Sequence, residues 1–184
     1  LSMAGYETSL YDIDVEKINN LKKLGGVQLE VKIHGFGKID CITINIVEAI
    51  KGAKIIMVTT VANAHRSVAQ SIAPYLEDNQ VVVLNPGRTC GALVFKQALI
   101  KSGCKKRIYL GEAQTLVYAC RVVENGLVNV IGIKDEVLLS GLPATDTDNI
   151  LEKLNPIFPC FQKAENVLRT SLENIGAMFH PCVL

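Results

Sequence analysis

Two strand-length apolar runs, Ile55 to Thr59 and Val81 to Leu84, constrain the fold more than any other feature of the chain. A strand without polar alternation is buried on both faces. Each run is followed by a helical pattern, Ala64 to Ala73 ending at Pro74 and Ala92 to Lys101 ending at Gly103. A third strand, Arg107 to Leu110, comes next. Strands alternating with helices of about 10–12 residues indicate right-handed crossovers, and therefore an α/β fold with a mostly parallel, doubly wound sheet.

The flanking segments are less regular. Glu7 to Asp12 reads as a short strand, followed by a helix from Asp14 to Leu24 with apolar Val15, Ile18, Leu21 and Leu24 at helical spacing. Asp14 is its expected N-cap, and Gly25-Gly26 stops it. A strand from Val27 to Ile33, a loop at Gly35-Phe-Gly37 and a short helix from Asn45 to Lys51 follow. Beyond Gly111 the texture becomes β: Leu116 to Val123 and Leu127 to Ile133 flank an Asn125-Gly126 hairpin signal, and Val137 to Leu142 is a further strand. Asp146 to Leu154 is helical, Pro156 and Pro159 break the chain, and Ala164 to Phe179 carries an apolar stripe at helical spacing. The expected division is residues 1–163 as a nucleotide-binding domain and 164–184 as the first helix of a second one. The start at Leu1 and the unpartnered stripe of the last helix suggest a piece of something larger.

Composition excludes several function classes. Half the residues are apolar, so the chain can bury a core, and 19 basic against 18 acidic residues leave no field for nucleic acid or an anionic membrane. No apolar run is long enough to span a bilayer. Six cysteines at irregular spacing, with no CxxC pair and three histidines, argue against a metal site and fit free thiols in the cytoplasm.

Open parallel sheets bind ligands at the carboxyl ends of their strands. Two segments meet that condition: Thr59 and Thr60 open the loop to His65, and Asn85 and Gly87 lie in the loop to Gly91. By spacing alone, each is equally a plain strand-to-helix turn. No G-x-G-x-x-G dinucleotide fingerprint is present, and the first strand and glycine turn of a Rossmann-like domain are missing. Met3 to Asp12 nevertheless has the form of a helix end followed by a second strand, so Asp12 falls where a carboxylate accepts from the adenosine ribose hydroxyls, favouring NAD over NADP. The alternative for Asp12 is a second helix-capping aspartate beside Asp14.

Three blocks resemble the octopine/nopaline dehydrogenase family, in its order and spacing: Val83-Leu-Asn-Pro-Gly-Arg-Thr-Cys-Gly-Ala-Leu93, Glu112-Ala-Gln-Thr-Leu-Val-Tyr-Ala-Cys-Arg121 and Asn166 to Pro181. With the strand ending at Asp12, the resemblance covers nearly the whole chain. It implies a Rossmann domain leading into an all-helical dehydrogenase domain, with an amino acid and a 2-keto acid such as pyruvate as substrates. It also implies that His180 is the catalytic acid/base: imine formation expels water, and a protonated imine accepts hydride best. The bland reading of His180 is a helix-end histidine facing the C-terminal dipole. Asn174 is a candidate substrate ligand, with a capping role as its alternative. Arg121 could grip a substrate carboxylate or form an ion pair on a sheet edge. His65 is expected near the cofactor and His34 on the surface. A homodimer is compatible with all of this. The competing readings are another two-domain dehydrogenase resembling ketopantoate reductase, which needs no amine, and a truncated nucleotide-binding module without turnover.

Overall fold

A computed structural model describes residues 1–173. In chain order the elements are β1 (Ser9–Tyr11), α1 (Val15–Leu24), β2 (Gly26–Val31), β3 (Gly35–Lys38), β4 (Cys41–Thr43), α2 (Ile46–Ile50), β5 (Ile55–Val58), α3 (His65–Ile72), β6 (Val81–Leu84), α4 (Gly91–Lys101), β7 (Tyr109–Ala113), β8 (Tyr118–Glu124), β9 (Leu127–Ile133), β10 (Val137–Gly141), α5 (Thr147–Leu154), β11 (Phe161–Lys163) and α6 (Val167–Leu172). They form two compact units, Leu1–Lys51 with Tyr118–Lys134, and Gly52–Val117 with the segment from Asp135.

The second unit is built on a five-stranded sheet in the order β11-β10-β7-β6-β5. β5, β6 and β7 run parallel, and β10 is antiparallel to β7. Alternation along β6 explains its burial on both sides. Val81 and Val83 join Val137, Leu139, Ile150, Leu154 and Phe161 in the cluster that α5 covers. Val82 and Leu84 point the other way and are as fully buried, as are Phe95 of α4 and Ile72 of α3. Each such side chain stabilises the fold by about 2 kcal/mol through its burial. α6 packs against β7 and β10 in this unit, and its cap Asn166 accepts the backbone N–H groups of Leu168 and Arg169.

The first unit holds a four-stranded sheet, β3-β2-β9-β8, and a two-stranded parallel pair, β1-β4. Ile18 and Leu21 of α1 bury against Ile42 of β4, with Leu10, Val27 and Ile39 around them. Asp14 caps α1 as expected, accepting from the Lys17 N–H at 3.0 Å, and Gly25 ends it in the left-handed region. Asn125-Gly126 joins β8 to β9, with Gly126 at φ +92°.

Most expected elements appear within a few residues, and four differences have physical causes. Gly35-Phe-Gly37, expected as a loop, is strand β3. A Cβ on Gly26 would lie 2.3 Å from the Gly37 carbonyl oxygen, so the glycines mark close backbone approach within a sheet. Phe161–Lys163, expected as the end of a Pro-rich break, pairs with β10. The 118–133 hairpin joins β2 in a separate sheet, through the parallel pairing of β2 with β9. The last helix begins at Val167 rather than Ala164, because Asn166 supplies the cap. Residues 174–184, and with them the expected His180 and Asn174, lie outside the described residues.

Candidate functional site

Parallel register brings the carboxyl ends of three strands to one edge of the five-stranded sheet: Val58 pairs with Leu84, and Leu84 with Glu112. The two loops singled out from the sequence leave this edge. After β5, Thr59 and Thr60 are exposed, and the exposure continues to Asn63. After β6 the chain dives inward. Asn85 donates its N–H to the Val58 carbonyl at 2.9 Å, the Asn85–Pro86 peptide is cis, and Gly87 donates to the Ala113 carbonyl at 3.1 Å. Arg88 (φ +60°) and Cys90 (φ +58°) then adopt the left-handed conformation, which non-glycine residues rarely take.

Beneath this loop lies Glu112, a glutamate with no exposed surface in the interior of a sheet. Its Oε2 accepts the Ala92 N–H of the first turn of α4 at 2.7 Å. Its Oε1 accepts the hydroxyls of Thr170 (2.7 Å) and Ser171 (2.6 Å) from α6. Ser171 in turn accepts the Cys90 N–H at 3.0 Å. Burial pushes the carboxyl above its ordinary value, only partly opposed by the Ser171, Ala92 and Thr170 hydrogen bonds. Gly87 has a cause independent of any ligand: a Cβ there would sit 2.1 Å from Glu112 Cγ. Glu112 escaped the sequence reading because an acid ended the apolar pattern, placing the strand at 107–110 instead of Tyr109–Ala113. Its small neighbours, Gly111 and Ala113, were the only local hint.

Two buried polar groups at this edge have no hydrogen-bond partner among the described residues, the Asn85 Oδ1 and both ring nitrogens of His65. His65 is 1% exposed and is the first residue of α3, within the helix expected from Ala64. Gly91 packs over it, where a Cβ would come within 3.1 Å of Nδ1. Burial pulls the imidazole below its ordinary value, and the nearby Thr60 backbone opposes this without making a hydrogen bond of normal geometry. Orphaned buried acceptors cost about 1–3 kcal/mol, a penalty that proteins retain mainly where a ligand or ordered water answers it.

The remaining candidates belong to the first unit. Asp12 follows β1, half-buried. Burial pushes its carboxyl up, but an ion pair with Lys17 and the Asp14 and Ile13 N–H groups outweigh that and hold it below the ordinary value. Arg121 is exposed in β8 opposite Asn129, and makes no ion pair among the described residues. His34 is exposed, as expected. No helix among the described residues is long and apolar enough to cross a membrane.

No protein-family model matches the chain. Individual proteins do. An opine dehydrogenase of Arthrobacter sp. (strain 1C) is 34% identical over 182 residues, 98% of this chain and 50% of the relative. An octopine dehydrogenase of Mizuhopecten yessoensis is 29% identical over 164 residues, 86% of this chain and 39% of the relative. A solved structure of octopine dehydrogenase with NADH and L-arginine superimposes with a TM-score of 0.80 at 25% identity, over 98% of this chain and 47% of that one. The chain thus spans half the length, or less, of these relatives. Sequence and fold agree along nearly all of it, with a mostly parallel sheet as their common frame, and in both respects the chain is similar to part of an opine dehydrogenase.

Proposed function

We propose that the chain is the nucleotide-binding part of an NAD-dependent opine dehydrogenase, which condenses an amino acid with a 2-keto acid such as pyruvate and reduces the product. The observation that carries this reading is the orphaned Asn85 Oδ1, buried at the carboxyl edge of parallel strands where a dinucleotide's ribose or nicotinamide would find it. The kinship with octopine dehydrogenase, solved with NADH and with L-arginine or pyruvate, supports the same choice of cofactor and substrates.

In this reading the cofactor, when bound, supplies the hydride. Thr59, Thr60, Asn85 and the Gly87 backbone hold its inner half. His180, in the segment from Ala164 that begins the helical domain, holds the proton that activates the imine. Asn174 and Arg121 orient the substrates. Residues 1–163 form the nucleotide-binding domain, and cytoplasmic residence accords with cysteines spaced for no disulfide framework.

The test is NADH oxidation by the full-length protein with pyruvate, in the presence and absence of a panel of amino acids. Oxidation that requires the amine is the expected result. Equal rates without amine would point instead to a keto-acid reductase, and a protein that binds NADH without turnover would be a non-catalytic module.

A further inference from the structure

A glutamate inside a parallel sheet needs a reason, and Glu112 has no cationic one: it forms no ion pair among the described residues. Its partners are three donors on two different elements. An ionised carboxylate is the side chain that only accepts, so it can take two hydroxyls on one oxygen and a backbone N–H on the other. Ser171 matches this arrangement. Its oxygen already accepts the Cys90 N–H, so its hydroxyl proton is free to point at Glu112.

These contacts converge on the loop after β6. Gly87 rests against the Glu112 side chain, Cys90 is tied to it through Ser171, and Ala92 is tied to it directly. Between those ties lie Arg88 and Cys90, both in the left-handed region. Such backbone persists only where its surroundings over-determine it. Here the Val58 and Ala113 carbonyls hold the start of the loop at Asn85 and Gly87, and one carboxylate with the α6 hydroxyls that share it holds its end.

We propose that Glu112 is a positioning residue, which holds the 85–91 loop in the shape that receives the cofactor by fixing Ala92 directly and Cys90 through Ser171. The proposal rests on the reading of that loop as a cofactor-binding segment. A loop already held in its binding shape loses less entropy when the ligand arrives. The tie to α6 also means that the loop and the chain leading toward Asn174 and His180 share one anchor.

The test uses the full-length protein and two variants, Ser171→Ala, which cuts the relay to Cys90, and Glu112→Gln, which keeps the shape but turns one acceptor into a donor. In both, KM for NADH should rise about tenfold while kcat at saturating NADH stays within about twofold. Amide exchange at Cys90 and Ala92 should quicken by about tenfold, with the amides of β6 unchanged. An unaltered KM for NADH in both variants overturns the proposal. So does faster exchange throughout β6 and β7, which would mean general loosening rather than a released loop. Failure of the wild-type protein to bind NADH would sink the functional reading alone, and exchange at Cys90 and Ala92 would still decide whether Glu112 fixes the loop.

Discussion

The loops after β5 and β6 leave the same edge of one sheet, one strand apart, and are built in opposite ways. The first runs exposed from Thr59 to Asn63 and is held mainly by a single local turn, Ala64 N–H to the Val61 carbonyl. The second enters the interior, carries two left-handed residues, and is tied to three other elements. Position at a strand end therefore does not decide how a loop is held. The residue below it does: under the second loop lies Glu112, whose carboxylate accepts the Ala92 N–H and the hydroxyl of Ser171, which in turn accepts the Cys90 N–H.

The sharpest way to break this contrast is to fill the space at Gly87. Gly87→Val would drive its side chain into Glu112 and should cost about 3 kcal/mol of stability, read from the urea midpoint. A loss below about 1 kcal/mol would mean that the loop is as pliable as its neighbour. A smaller effect comes from pH. A carboxyl whose folded pKa is raised contributes stability that is complete below its ordinary value of 4.5 and is lost as pH climbs to the folded value, by at most about 1.4 kcal/mol per pH unit. Glu112→Gln should flatten that decline. It should leave the opposite one from His65, whose depressed folded pKa makes stability fall as pH drops below 6.5. Stability curves for the two proteins that stay parallel above pH 4.5 would contradict a buried, poorly solvated Glu112. The smallest effect belongs to the first loop. Thr59→Ala and Thr60→Ala should each change stability by no more than about 0.5 kcal/mol while weakening NADH binding, a pairing that calorimetry and fluorescence titration would check together.

How much of this was legible depended on whether the cause was local. β6 and α4 were plain, since an apolar run and a helical stripe carry their own signal. The cap at Asp14 was equally visible, because a cap acts within three residues of itself. β3 was missed because glycines that permit close approach look the same as glycines that permit a turn. β11 is three residues long and owes its existence to β10. The site divided along the same line: the strand-end loops could be found by counting, whereas the role of Glu112 depends on Thr170 and Ser171, nearly sixty residues further on. Nothing in a window around Glu112 announces partners that distant.

The pairing of β2 with β9 has a consequence for how the polypeptide comes into being. Gln28 meets Leu127, so the first unit needs a strand made about a hundred residues after its own first half, once most of the five-stranded sheet has left the ribosome. During that interval β2 has only β3 beside it, and its other edge stands unpaired. Neither unit is a continuous stretch of sequence, so no single cut releases either one whole. A chaperone that shields β2 until β9 arrives would act on the most vulnerable moment of synthesis, and a truncation between residues 51 and 118 would strand the first unit with an open edge.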